Sequence, residues 1–318
     1  MEKMKIFKFG GKALESLRSF VQVRKIVEKE RPQVIVVSAI GKTTNALEDF
    51  VKGCRSNDKN LMEDALGRIL GINGSIIKEI SLPWLWCRPQ KTIDFLKEFA
   101  SRRKEFNSWE IISDRIAIEG ELLAADILCQ FLDLNRIMAT IIRADSFIKT
   151  DLNFNCANFL EEQSLRKFPG NEFKSCLEEG EIIIIHGFIA SATVDTPFLK
   201  FDGATTLGRE GSDYTAALIA FLLTELEIAE VESVTLWKDV PGVADRNPKE
   251  KSKDPVHYFS SLSYTKCGEE IQPGGIAEGL IHPKTVEVLK KLGIPLWIKS
   301  FWKPNLRGTF VGNPGLID

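Results

Sequence analysis

Met4-Lys5-Ile6-Phe7-Lys8-Phe9-Gly10-Gly11-Lys12, followed by Gln33-Val34-Ile35-Val36-Val37, is the part of the chain that decides the fold. The first stretch alternates apolar and polar residues and then meets two glycines, which reads as a strand ending in a tight turn. From Leu14 to Glu30 the apolar residues Leu17, Phe20, Val21, Val23, Ile26 and Val27 recur at helical spacing. Gln33–Val37 is a continuous β-branched run, the mark of a strand buried on both faces in a parallel sheet. Strand, helix and strand in so short a span make a βαβ unit with a right-handed crossover.

The same reading extends along the chain. Asn45 to about Phe106 is helical in pattern, with interruptions near Pro83 and Pro89, and Ser113 can cap a helix running to Leu132. Arg136–Ile142, Glu181–Ile185, Ser233–Trp237, Pro295–Lys299 and Thr309–Val311 read as strands, and Ser212–Leu223 and Ile276–Leu292 as helices. This alternation predicts an α/β fold, a three-layer α/β/α sandwich around a mostly parallel sheet. A single catalytic domain over 1–318 is expected, with lobes of about 1–195 and 196–318 divided within the Pro/Gly/polar stretch Ser191–Gly211.

Bulk composition narrows the function. Apolar residues make up 44% and charged residues 27%, enough for a large core, and the net charge of −2 gives no reason to expect nucleic acid or an anionic membrane as partner. No run approaches the ~18 apolar residues of a membrane span, and the N-terminus has no signal-peptide pattern. A cytoplasmic location is expected. The six cysteines form no CxxC pair and have no histidine at zinc spacing, so they read as reduced and mostly buried, with no metal ligands assigned.

In an open α/β sheet, ligands bind beyond the carboxyl ends of the strands. Five such places carry suitable residues. Gly10-Gly11 beside Lys8 suits a polyphosphate, or is only a tight turn; GxxxxGK[ST] spacing is absent. Ser38 and Thr44 flank Gly41 in a loop that can hydrogen-bond a polar ligand, or Thr44 or Asn45 merely caps the next helix. Glu119-Gly120-Glu121 breaks an apolar helix, and its carboxylate could hold an ammonium group, or the segment is only a solvated helix face; close packing or a ligand would explain the glycine. Thr205 to Tyr214 concentrates charge, donors and permissive backbone, with Arg209 offering a fork for a carboxylate or phosphate, or is only a capped helix with Arg209 exposed. Ser212 or Asp213 starts the next helix there, and Asp213 could orient groups or help hold Mg²⁺. Finally, the loop from Lys238-Asp239 through Arg246 to Lys249 could embrace a nucleotide, or be plain surface.

Taken in order, these segments resemble the aspartate kinase branch of the amino-acid kinase family. Lys8-Phe9-Gly10-Gly11, Val36-Val37-Ser38-Ala39, Gly120-Glu121-Leu122, Gly187-Phe188-Ile189, Thr205–Tyr214, Trp237–Val243 and His282-Pro283-Lys284-Thr285 carry the resemblance over nearly the whole chain. The resemblance implies ATP-dependent phosphorylation of the L-aspartate β-carboxylate with Mg²⁺, as the first step toward lysine, threonine and methionine, by a homodimer. It implies that Lys8 neutralises the transferring phosphoryl group and that Gly10-Gly11 cradles phosphate. Arg209 would hold the α-carboxylate, Glu121 the ammonium with Ser38, Thr44 and Ser212 nearby, and Asp213 would organise the site. Lys238, Asp239, Arg246 and Lys249 would line the nucleotide pocket.

Several positions depart from that pattern: Lys12, Glu210, Lys238, Ala244, Lys249 and Gly279. Gly279 stands where the family has a second lysine, so Lys12, Lys238 or Arg246 would have to supply a replacement charge. A different acceptor, or ligand binding without turnover, are the alternative readings. Neither an ACT domain nor feedback inhibition through one is expected.

Overall fold

The computed structural model describes residues 3–103, 108–196, 199–246, 255–272, 275 and 277–313. Strand β1 (Lys3–Phe9) runs into a 3₁₀ turn (Gly11–Leu14), and helix α1 spans Leu17–Glu30. The helix starts three residues later than the apolar spacing suggests. Ser16 is its cap: the Ser16 side chain accepts from the Ser19 backbone, and Ser19 answers in a capping box. Strand β2 (Val34–Val37) follows, completing the expected βαβ unit.

Next come helices α2 (Thr43–Ser56), α3 (Lys59–Glu79) and α4 (Cys87–Ser101), the last two separated by a 3₁₀ turn at Pro83–Trp86. The single helix expected from Ser113 to Leu132 is two, α5 (Trp109–Ala117) and α6 (Glu119–Leu134), broken at Ile118. Ser108, not Ser113, caps α5, accepting from the Glu110 and Ile111 amides. Strand β3 is only Ala139–Ile141, and β4 is Ile182–His186, with short helices α7 (Ala144–Phe147), α8 (Glu161–Lys167) and α9 (Gly170–Glu178) between them. The polar stretch expected to divide the lobes is largely an antiparallel hairpin, β5 (Ile189–Asp195) and β6 (Lys200–Thr206). Then follow α10 (Gly211–Glu225), β7 (Glu230–Lys238), β8 (Ser261–Leu262), α11 (Tyr264–Glu270), α12 (Pro283–Leu292), β9 (Leu296–Ser300) and β10 (Thr309–Val311). The expected start of α12 at Ile276 lies outside the described residues. The helix begins at Pro283, whose ring is tolerated in the first turn, with His282 as cap.

The main sheet is ordered β3-β4-β2-β1-β7-β9-β10-β8, with only the β9–β10 pair antiparallel. Its two faces follow the two-residue period of the strands. Met4, Ile6, Val34, Val36, Ile183, Ile185, Val234 and Leu236 pack with α10 and α12. Phe7, Phe9, Ile35, Val37, Ile182, Ile184 and Trp237 pack with α1 and α6. A third cluster joins α2, α3, α4 and α5 to the outside of α6. Helix α10 is buried all round, from Gly211 to Leu223, which explains why it carries no polar face. No helix among the described residues is long and apolar enough to cross a membrane. All six cysteines are free; Cys54, Cys129, Cys176 and Cys267 are buried, and Cys87 and Cys156 are exposed.

Candidate active site

Strand β1 lies between β2 and β7, so the chain leaves the sheet centre in opposite directions on its two sides. A crevice opens at such a switch point. Here it is a cavity of about 310 Å³, lined by Lys8, Gly10, Gly11, Ser38, Thr44 and Lys238 among others.

The period of two sets what lies at its floor. Lys8 follows Met4 and Ile6 on the face turned to α10, and Lys238 follows Val234 and Leu236 on the same face of the adjoining strand. Both side chains therefore reach Asp213 in the first turn of α10. Lys8 Nζ lies 2.7 Å from Asp213 Oδ1, and Lys238 Nζ lies 2.7 Å from Oδ2 and 3.5 Å from Glu210 Oε2. The Lys8 and Asp213 side chains are buried, and the helix N-terminus favours the carboxylate.

Burial pulls the Lys8 pKa below the ordinary lysine value, against the opposing pull of Asp213. Burial also works against the Lys238 ammonium, but Asp213 and Glu210 outweigh it and hold its pKa above the usual value. Asp213 is the reverse case: burial favours its neutral form, yet the two ammonium groups keep it ionised with a lowered pKa. The result is a desolvated charge cluster, the environment in which electrostatic stabilisation is strongest.

The glycines are there first for close packing. A Cβ on Gly11 would sit 2.4 Å from the Ala39 carbonyl oxygen, so the loop after β1 lies directly on the loop after β2. The Gly41 amide donates to the Gly11 carbonyl at 3.0 Å and joins the two loops. Gly10 and Gly11 meet a 3₁₀ turn rather than an α-helix N-terminus, which corrects the expected geometry of that anion site. A Cβ on Gly120 would stand 2.7 Å from the Ala39 Cβ, so close packing accounts for this glycine. That approach brings Glu121 to the Ala39 amide, which donates to Oε1 at 3.2 Å. Glu121 Oε2 has no partner, and burial pushes the carboxyl pKa up to about 8.

Ser38 Oγ and Ser212 Oγ are 3.0 Å apart, linking the β2 loop to α10. Neither Thr44 nor Asn45 caps α2; the helix begins at Thr43 after Lys42, leaving Thr44 half-buried on the cavity wall. Glu210, not Ser212 or Asp213, occupies the cap position of α10, in a left-handed conformation (φ 55°) with no side-chain capping bond. Arg209 is exposed and does not line this cavity. Lys12 and Asp239 are ion-paired at the cavity mouth. Arg246 is half-buried, its Nε 3.6 Å from Asp245, and does not line the cavity; Lys249 lies outside the described residues.

Asp114 escaped the sequence reading. Its buried carboxylate accepts from the Thr206 amide at 3.0 Å, the Thr206 hydroxyl at 2.6 Å and the Asn155 amide at 3.0 Å. It thereby fixes the end of β6 just before the Leu207–Glu210 turn. A carboxylate between Ile112 and Ile116 on the buried side of α5 was the available signal.

A sequence model described as the amino acid kinase family matches residues 3–300. An aspartokinase of Chlamydia pneumoniae is 29% identical over 311 residues, covering 96% of this chain and 62% of that protein. A chloroplastic bifunctional aspartokinase/homoserine dehydrogenase 2 of Arabidopsis thaliana is 26% identical, covering 98% of this chain but 33% of its own length. The chain thus spans about a third of such bifunctional relatives. In structure it is similar to E. coli aspartokinase III in complex with aspartate and ADP, with a TM-score of 0.84 at 23% identity, covering 98% of this chain and 65% of that one. The family match, the mostly parallel sheet and the crevice beside β1 agree, and the chain belongs to the amino acid kinase family.

Proposed function

We propose that this chain is an ATP-dependent kinase that phosphorylates the β-carboxylate of L-aspartate, forming 4-phospho-L-aspartate and ADP. The observation that carries the reading is the buried Lys8–Asp213–Lys238 cluster at the floor of the cavity. In phosphoryl transfer the protein mainly positions the reactants and stabilises charge. A carboxylate oxygen of the acceptor attacks the γ-phosphorus while the bond to the β,γ-bridging oxygen breaks. Lys8 lies where it can meet the charge that spreads over the transferring group, and Asp213 holds it there. The unpartnered Glu121 Oε2 suits the acceptor's ammonium group, with the Ser38–Ser212 pair beside it.

Arg209 reaches the acceptor carboxylate only by folding inward from its exposed position, which fits closure on substrate binding. Gly10, Gly11, Lys238 and Asp239 all line the cavity; the proposal gives the two glycines the phosphates and Lys238 and Asp239 the nucleotide, with Arg246 and Lys249, farther along that loop, closing over it. No group of three or more His, Cys, Asp or Glu residues among the described ones could hold a metal. Mg²⁺ would therefore ride mainly on phosphate oxygens and water, as this ion commonly does. We further propose, on the family resemblance, two lobes of about 1–195 for the acceptor and 196–318 for the nucleotide, a homodimer, a cytoplasmic location and a role at the head of lysine, threonine and methionine synthesis.

The acceptor is tested by coupling ADP release to a spectrophotometric readout with L-aspartate, L-glutamate and carbamate offered separately. ADP release dependent on L-aspartate supports the proposal. Release with L-glutamate or carbamate alone would reassign the acceptor, and binding of ATP without release would make the chain a ligand-binding homologue.

A further inference from the structure

We propose that Glu210 and Lys238 form an exchangeable ion pair: Glu210 holds Lys238 while the cavity is empty, and Lys238 passes to the terminal phosphate when ATP binds. This rests on the nucleotide-binding part of the reading above.

The two residues come from distant places, the turn before α10 and the end of β7, yet Lys238 Nζ lies 3.5 Å from Glu210 Oε2. Glu210 occupies a left-handed backbone conformation that disfavours any residue with a side chain, and it makes no capping bond there. The contact its carboxylate does make is with Lys238.

The charges of the cluster decide the rest. Two ammonium groups, Lys8 and Lys238, stand against two carboxylates, Asp213 and Glu210, so the cluster is neutral before any ligand arrives. A triphosphate entering above it needs cations that are not fully committed. Lys12, at the mouth, is already paired with Asp239. Across the cavity Gly279 has no side chain, although a Cβ there would meet nothing within 4 Å. An incoming phosphate therefore competes with Asp213 and Glu210 for Lys8 and Lys238. The Asp213 side chain is 0% exposed and cannot turn to water, whereas that of Glu210 is 34% exposed and has the longer contact. Swinging Glu210 outward leaves Lys238 anchored on Asp213, with its remaining N–H donors directed at the phosphate. Lys238 is then a phosphate-binding residue, and Glu210 a positioning residue that competes with the ligand.

The test measures ATP and ADP affinity by calorimetry, supported by fluorescence of Trp237, which lines the cavity. Lys238→Met should weaken ATP binding roughly 10- to 100-fold, the size of one lost charge-assisted hydrogen bond, and weaken ADP binding much less. Glu210→Gln should strengthen ATP binding several-fold, and in the double variant this gain should vanish. Lys238→Arg should restore most of the discrimination and serves if the methionine variant fails to fold. An ATP-to-ADP affinity ratio unchanged in Lys238→Met, or ATP affinity unchanged or lowered in Glu210→Gln, would overturn the exchange and leave Lys238 as a counterion to Asp213. If the unaltered protein binds no ATP, the kinase reading itself falls; if it binds and turns over ATP while these variants behave alike, only the exchange does.

Discussion

Asp213 takes an ammonium group near each of its oxygens, and Glu121 has one oxygen with no partner at all. The difference is one of charge: Asp213 is flanked by two ammonium groups, whereas Glu121 is buried with no cation in contact. With its pKa raised to about 8 by burial, Glu121 binds a proton in the folded state over a range where the unfolded chain, with a value near 4.5, has released it. More protons bound by the native state means that stability falls as pH rises through this window. Glu121→Gln removes the titration. Its stability gain over the unaltered protein should be small at pH 4.5, grow as pH rises, and level off above about 8, reaching several degrees in melting temperature. A gap independent of pH would contradict this account of Glu121. The same substitution should weaken amino-acid binding, because a bound ammonium group would draw the proton off Glu121 and pair with the resulting carboxylate, which glutamine cannot form. Lys8, Asp213 and Glu121 stood out in the sequence at a strand end, at a helix start after a Gly-rich turn and at a break in an apolar helix respectively. Glu210 was visible only as a departure from a motif, since its partner Lys238 lies 28 residues away.

Helix α5 shows how an element can position the site without touching it. Asp114 collects donors from Thr206 and Asn155 and ties α5 to the strand that leads into the Arg209 turn. Asp114→Ala leaves these donors unpaired inside the protein and should cost about 3–5 kcal/mol, read as a lower denaturant midpoint at unchanged slope. A loss under about 1 kcal/mol would mean that water replaces the carboxylate. Gly11→Ala offers a sharper local test. Its Cβ would collide with the Ala39 carbonyl at 2.4 Å, so the β1 and β2 loops must part. The expected outcome is a folded protein with nucleotide binding reduced at least tenfold, a cost of about 1.4 kcal/mol; unchanged binding in calorimetry would show that the loop contact is dispensable.

Elements with a single strong period were readable: the β-branched run of β2 and the apolar length of α10. The β5–β6 hairpin was not, because its strands carry Gly203 and several polar residues, and its buried apolar residues, Ile189, Ala190 and Ala192, are too few to set a strong period. The break at Ile118 was hidden because α5 and α6 share one continuous apolar pattern, and the start of α12 was set by Pro283 rather than by periodicity.

At the level of the molecule, one sheet carries everything. The β1 position between β2 and β7 opens the crevice, α10 sets Asp213 behind its lysines, and α6 brings Glu121 to the amide of Ala39 in its wall, although neither carboxylate lines the cavity itself. The α/β class and the parallel order followed from the alternation of elements, while the meeting of Lys8 with Lys238 required knowing that β1 and β7 are neighbours. The most direct measurement of the central claim is capture of the acyl phosphate by hydroxylamine, in the presence of ATP, Mg²⁺ and L-aspartate, beside a Lys8→Ala variant. The account predicts hydroxamate that depends on L-aspartate and falls by at least 100-fold in the variant, since a buried cation facing the transferring group is removed. Hydroxamate formed equally well by Lys8→Ala, or none from a protein that binds both ligands, would contradict it.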